Sequence, residues 1–496
     1  MQINAISRNK DLGDGWLLFL DEETVSDGSY LHDVDHDRVF QLIKEVIERE
    51  EFKGTFGEIK GLHLVGEARP KKVILAGLGR RKECTLEKLR RAAAKAVKEG
   101  ERLQAKELTI LHDFPQGVSL AHWVRAVVEA AVLTSYGFNK YLAEKKEPCL
   151  KNLRISYDAS QKAEVLQGIK DGKILGKATA LARDLVNEPA NVMTPAKLAA
   201  EAERVGSQSG FEVEVLKESQ IEELGMKAFL EVGRASQNRP RLIVMRYFGD
   251  EENRNNILGL VGKGLTYDSG GLSIKPKDSM PTMKYDMAGA AAVIGTMSAV
   301  AQQKLKMNVV AVVAACENLV SGAGYRPGDV IETMAGKSVF IGSTDAEGRL
   351  TLADAVHYVI EKEKVTKVVD IATLTGAAIV ALGQTTTGVI TNDLQFYEKL
   401  KAASELSGER VWQLPSFEEY KELNKSPIAD LKNTAGRGAG TITAGLFIGE
   451  FVQDKPWLHL DIAGTAFADK DRDYEVEGGT GVGVRLLYHL VEQLIA

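Results

Sequence analysis

From Pro189 onward, short apolar runs alternate with segments of helical period, and this alternation restricts most of the chain to an open, largely parallel sheet. The runs 211–216, 242–247, 257–261, 309–315, 368–371 and 457–462 are short and β-branched, as strands are. The stretches 195–206, 287–301, 350–362, 442–451 and 484–495 repeat their apolar residues at helical spacing. Parallel strands need crossover connections, usually helices, which then cover both faces of the sheet. Side chains at the C-terminal ends of such strands converge along one edge, so a site is expected there.

The first part of the chain reads as a smaller α/β domain. Strands are expected at 16–20, 72–76, 108–111 and 153–157, and helices at 38–48, 86–98 and 120–133. A helix over 161–186, stopped by Pro189, bridges to the larger part. At 496 residues two domains are expected, 1–165 and 166–496, because one core rarely grows so large. Gly77-Leu78-Gly79 reads as a tight strand-to-helix turn, since Lys82 stands where a dinucleotide loop needs a third glycine. His32 and His36 lie among Asp33, Asp35 and Asp37 and read as surface residues.

A net charge of -6 gives no general attraction to nucleic acid or to an anionic membrane. The N-terminal residues lack the basic and apolar pattern of a signal peptide, and no run is long enough to span a bilayer. Cys84, Cys149 and Cys316 are far apart and form no Cys-x-x-Cys pair. A cytoplasmic location is expected.

Within this frame, charge gathers at predicted element ends. Residues 343–350 read Ser-Thr-Asp-Ala-Glu-Gly-Arg-Leu, between a short apolar run at 338–341 and a helix. In an extended segment Asp345, Glu347 and Arg349 leave on one face. Capping by Asp345 and an Arg349–Glu347 pair would be the plainest use of these residues. Asp268 and Asp286 stand at element ends as well, with Lys263 and Lys275 interleaved, which exceeds what capping requires.

Lys263, Asp268, Lys275, Asp286, Asp345, Glu347 and Arg349 resemble, in type, order and spacing, the dinuclear-metal active site of the leucine (cytosol) aminopeptidases. The family signature is Asn-Thr-Asp-Ala-Glu-Gly-Arg-Leu, and Ser343 in place of Asn is the one departure. Residues 183–191, 370–377 and 460–466 extend the similarity, which is strong from about residue 170 and one of layout before it.

The resemblance implies a metallo-exopeptidase that releases N-terminal, leucine-like amino acids from peptides. It implies two divalent ions per subunit, Mn2+ or Zn2+, bridged by Asp268 and Glu347. Asp345 would complete one shell, and Asp286 with Lys263 the other. Oxygen ligands suit such ions, and the absence of histidine argues against a mononuclear zinc site. Lys263 ligates only as a neutral amine; the alternative is a salt bridge to Asp268. Lys275 would donate to the developing oxyanion, and Arg349 would hold a bicarbonate. Met283, Thr373, Gly376, Ala463 and Ala466 would line the pocket for the first side chain. The resemblance also implies a homohexamer whose sites open on an interior cavity. Apolar helices at 287–301 and 442–451, with glycine-rich loops at 436–440 and 478–483, would serve its contacts. Some bacterial members bind DNA, but the charge balance makes nucleic acid a minor expectation. A dinuclear phosphoesterase is the alternative enzyme, although Gly262-Lys263-Gly264 lacks the rest of a phosphate loop.

Overall fold

Polar residues decide where the first sheet ends. It contains β1 (Gln2–Ser7), β2 (Gly15–Leu20), β3 (Ile59–His63), β4 (Lys72–Gly77), β5 (Glu107–Leu111) and β6 (Asn152–Tyr157), in the order β1-β6-β5-β2-β4-β3. All neighbours run parallel except β3, which is antiparallel to β4. The four expected strands are its interior. The two that were not expected, β1 and β3, are its edges, where partial exposure removes the need for a continuous apolar run. Helices Leu86–Arg102 and Leu120–Thr134 pack their alanine- and valine-rich faces on this sheet. The computed structural model describes residues 1–8, 10–28, 37–49, 52–65, 70–111, 119–145 and 147–495; His32 and His36 lie outside them.

The larger part adds β7 (Glu212–Leu216), β8 (Arg241–Phe248), β9 (Ile257–Asp268), β10 (Asn308–Asn318), β11 (Val330–Glu332), β12 (Ser338–Phe340), β13 (Lys367–Ala372), β14 (Thr386–Thr391), β15 (Arg410–Gln413), β16 (Leu431–Lys432) and β17 (Trp457–Asp461). Its main sheet has the order β15-β14-β17-β13-β9-β10-β8-β7. The four central strands β17, β13, β9 and β10 are mutually parallel, as the alternation predicts. Antiparallel pairs flank them: β8 on β10, β7 on β8, and β14 on β17. The short run before the signature becomes β12, which sits in a side sheet with β11 and β16. The result is a two-domain α/β architecture with a parallel centre covered by helices.

Strand β9 runs seven residues past the apolar stretch 257–261, carrying Lys263 and Asp268 inside the sheet. Its neighbour β10 is buried throughout and ends at Asn318, in register with Asp268 after an irregularity between Cys316 and Glu317. Helix Ala288–Gln303 approaches β9 and β13 backbone to backbone. A Cβ on Gly289 would lie 2.1 Å from the Ile371 carbonyl oxygen and 2.8 Å from the Lys263 nitrogen. No side chain fits there.

The chain divides into residues 1–180 with 470–476 and residues 181–469 with 477–496. That division falls within helix Lys162–Asn187, near whose start the sequence places its boundary. Among the described residues no helix is long and apolar enough to cross a membrane.

Candidate metal centre

Three separate elements deliver the carboxylates. Asp268 is the last residue of β9, and Asp286 lies at the end of the 3-10 segment Lys277–Met287. Glu347 occupies the N-cap position of helix Gly348–Glu361 without capping it through its side chain. Asp268, Asp286 and Glu347 are buried and offer ligand atoms within 4.8 Å of one another. Lys263 reaches in from mid-strand. Its Nζ is 2.9 Å from Asp286 Oδ2 and 2.9 Å from Glu347 Oε1, and it donates to the Thr373 carbonyl at 3.0 Å. Lys275 Nζ lies 2.9 Å from Asp268 Oδ2 and 2.6 Å from Asp345 Oδ1. Asp268 therefore pairs with Lys275, and the Lys263–Asp268 salt bridge considered from the sequence does not form.

The signature is a turn rather than an extended segment. Thr344 Oγ1 donates to the Gly270 carbonyl at 2.6 Å, and Ser343 Oγ accepts the Asp345 amide at 3.1 Å. A serine can thus supply a side-chain acceptor at the position of the signature asparagine. Asp345 does not cap the helix, and Arg349 forms no pair with Glu347. Gly348 makes room for Lys263: a Cβ there would lie 2.7 Å from its Nζ.

The electrostatics are those of a site short of positive charge. Burial, reinforced by the charges of Glu347 and Asp286, pushes the Asp268 carboxyl up to about 8. Burial also raises Asp286, to about 6, against the pull of Lys263. Asp345 is raised too, by burial and by Glu347. At Glu347 burial acts upward, but Lys263 and Lys275 outweigh it and hold the group low. At Lys263 burial acts downward and is outweighed by Asp286, Glu347 and Asp268, so the ammonium is favoured. Glu347 Oε2 is buried without a hydrogen bond. Buried carboxylates that must take up protons, with an oxygen left unsatisfied, fit a divalent cation. The donor set, carboxylate oxygens with one amine, suits a divalent metal ion.

Arg349 is buried and forms no hydrogen bond or ion pair among the described residues; its Nε has no acceptor. Burial lowers its guanidinium to about 10, while Glu347 and Asp461 act the other way. Asp461 ties together the loops that follow β13 and β17. Its Oδ1 accepts the amides of Leu374 at 3.2 Å, Thr375 at 3.4 Å and Ala463 at 3.1 Å, and its Oδ2 accepts the Thr375 hydroxyl at 2.6 Å.

Of the expected pocket residues, Thr373 touches the cluster directly, donating its hydroxyl to Asp286 Oδ1 at 2.8 Å. Gly376 is exposed, with open space where a Cβ would stand. Met283 is half-buried on the 3-10 segment that carries Asp286. Ala463 is buried on the Asp461-tied loop, and Ala466 is buried in the turn closed onto the Ile462 carbonyl.

Four supporting residues escaped the sequence reading. Asn318 Nδ2 donates to Asp268 Oδ1 at 2.8 Å and to the Thr344 carbonyl at 2.9 Å. Tyr325 donates its hydroxyl to that same carbonyl at 2.9 Å. Thr344 holds the turn through its hydroxyl, as described above. Asn433 splints it by accepting the Gly342 amide at 2.8 Å and donating to the Ser343 carbonyl at 2.7 Å. Asn318 could have been found had the strand 309–315 been carried three residues further; the Asn433 contact carries no local signal.

Residues 180–488 match the cytosol aminopeptidase family, catalytic domain, and residues 18–145 match its N-terminal domain. A probable cytosol aminopeptidase of Clostridium perfringens is 54% identical over 463 residues, covering 93% of this chain and 94% of the relative. One from Fusobacterium nucleatum is 41% identical over 496 residues, covering 99% of each. Among solved structures, the bottromycin maturation enzyme BotP in complex with Mn superposes with a TM-score of 0.85 at 32% identity, covering 97% of this chain and all of that one (100%). A variant of tomato leucine aminopeptidase gives a TM-score of 0.87 at 33% identity, covering 99% of this chain and 95% of that one.

Proposed function

The chain belongs to the cytosol aminopeptidase family and is a metal-dependent exopeptidase, and on that premise we propose how its residues divide the work. The observation that carries the proposal is the buried Asp268–Asp286–Glu347 trio with Lys263 set between two of its members. Two divalent cations, Mn2+ or Zn2+, would be held by Asp268 and Glu347 as bridges, by Asp345 on one side, and by Asp286 with Lys263 on the other. When bound, they supply a water acidified toward neutral pH and draw charge toward the scissile carbonyl oxygen.

The remaining steps belong to the chain itself. The free α-amine of a peptide, in its neutral form, would be taken as a further ligand at the loaded site, which makes the enzyme act from the N-terminus. Lys275 donates to the carbonyl oxygen as negative charge develops there. Arg349 holds bicarbonate as the proton carrier; its guanidinium grips a planar oxyanion in two places and does not itself deprotonate. Thr373, Gly376, Met283, Ala463 and Ala466 shape a small apolar pocket suited to leucine-like side chains.

Assembly as a homohexamer with enclosed sites would admit short peptides and exclude folded proteins, a useful restraint in the cytoplasm. Peptides are then the partners, with neither membrane nor nucleic acid required. A metal-dependent rate panel on aminoacyl amides tests the reading. Cleavage of leucinamide with Mn2+ or Zn2+ is expected, and hydrolysis of phosphate esters in its place would overturn it.

A further inference from the structure

The loop 434–439, Thr-Ala-Gly-Arg-Gly-Ala, is tied to the site at both ends. Before it, the buried Asn433 holds the turn that carries Asp345 and Glu347, through Gly342, Ser343 and Ala346. After it comes helix Gly440–Gly449. There Thr441 Oγ1 lies 2.8 Å from Thr375 Oγ1, and a Cβ on Gly440 would lie 2.9 Å from that of Ala377. The second anchor is thus the segment following Thr373, whose hydroxyl reaches Asp286. The loop joins the turn that carries Asp345 and Glu347 to the segment that follows Thr373.

Arg437 stands in the middle of this loop. It is exposed, and among the described residues it has no hydrogen bond or ion pair. Nothing lies within 4 Å of a Cβ built on Gly436, Gly438 or Gly376, so the surroundings are open. Of the other cations of the site, Lys263 and Lys275 are paired with carboxylates, and Arg349 is the buried group assigned to bicarbonate above. A peptide whose free α-amine lies at the loaded cluster carries a carboxylate at its far end. In an extended dipeptide that end is about 7 Å away. The arginine fork matches a carboxylate in two places.

The geometry points to Arg437 as the residue that binds the C-terminal carboxylate of short peptide substrates, giving free dipeptides an advantage over C-terminally blocked ones. This rests on the exopeptidase reading above.

Arg437→Gln and Arg437→Lys, assayed as metal-loaded enzymes on leucyl-glycine and leucyl-glycinamide, test it. In Arg437→Gln the ratio of kcat/KM, free dipeptide over amide, is expected to fall about tenfold, the effect of a lost charge-assisted hydrogen bond. The fall is expected in KM, and Arg437→Lys should restore part of it. If both substrates lose rate equally and the ratio holds, Arg437 only shapes the loop and the assignment is overturned. An unaltered ratio with unaltered rates, or a native enzyme indifferent to the free carboxylate, overturns it as well. A native enzyme that cleaves neither substrate would overturn the exopeptidase reading, and this one with it.

Discussion

Asn318 and Asp268 end neighbouring parallel strands in register, and the asparagine donates its side-chain amide to the aspartate at 2.8 Å. The bond fixes which oxygen of Asp268 faces the sheet and leaves Oδ2 toward Lys275 and the cluster. Groups that orient a metal ligand from behind typically account for about 10–100-fold in metal affinity. Asn318→Leu should weaken metal binding by an amount in that range while the fold persists, as metal titration followed by elemental analysis would show. Unaltered affinity would mean that the strand backbone alone orients Asp268.

Removing a carboxylate of the cluster should read differently with and without metal. Without metal, Asp268→Asn relieves repulsion among buried carboxylates and should melt no lower than the native protein, whereas Glu347→Gln takes a buried partner from Lys263 and should melt lower. Each also deletes an anionic ligand, so the rise in Tm on adding Mn2+ or Zn2+ should shrink and peptide hydrolysis should be lost. Full metal content with retained activity would sink the ligand assignment.

The lysines should separate by what they change. Lys275→Ala is expected to lower kcat by about 10²–10³ with metal content kept, because its donation matters as charge develops. Metal lost from Lys275→Ala but retained in Lys263→Ala would exchange the two roles.

Arg349→Ala should be milder than Lys275→Ala. Its activity should recover in part when bicarbonate is added to the assay, measured as kcat across a bicarbonate series at fixed pH. Absence of recovery would leave Arg349 with a structural role only.

Asp354 provides a pH test away from the metal. It accepts the Phe229 amide at 2.9 Å and the Met334 amide at 2.7 Å, and burial raises its carboxyl from 3.8 to about 7. The folded state therefore holds this proton over a range in which the unfolded chain has released it. Its contribution to stability is complete below about pH 4 and is lost as pH rises toward 7, with a slope of at most about 1.4 kcal/mol per pH unit. Asp354→Asn should flatten the stability profile across that window in thermal melts. An unchanged slope would show that Asp354 ionises normally.

The charged cluster was legible because charge at the ends of apolar strands is costly and hence conspicuous. Its geometry was less so. The spacing of Asp345, Glu347 and Arg349 invited an extended segment, whereas Thr344 and Asn433 bend it into a turn through partners distant in sequence. Central strands β9 and β10 were found and cut short, since Gly262, Lys263, Gly264 and Asn318 look like strand breakers until their partners are known. Strands β14 and β15 were missed because threonine, glycine and arginine there mimic a loop.

The backbone contact at Gly289 has a bearing on how such an enzyme can diversify. Lys263 lies on a strand locked by main-chain atoms to the helix that starts two residues after Asp286, so changes in surrounding side chains cannot easily alter the spacing of the two. Gly376, Gly436 and Gly438 face open space and are under no such constraint. Selection can redraw what the enzyme accepts at its rim while the machinery beneath is inherited intact, and a designer seeking new substrates would do best to leave that frame alone and work on the rim.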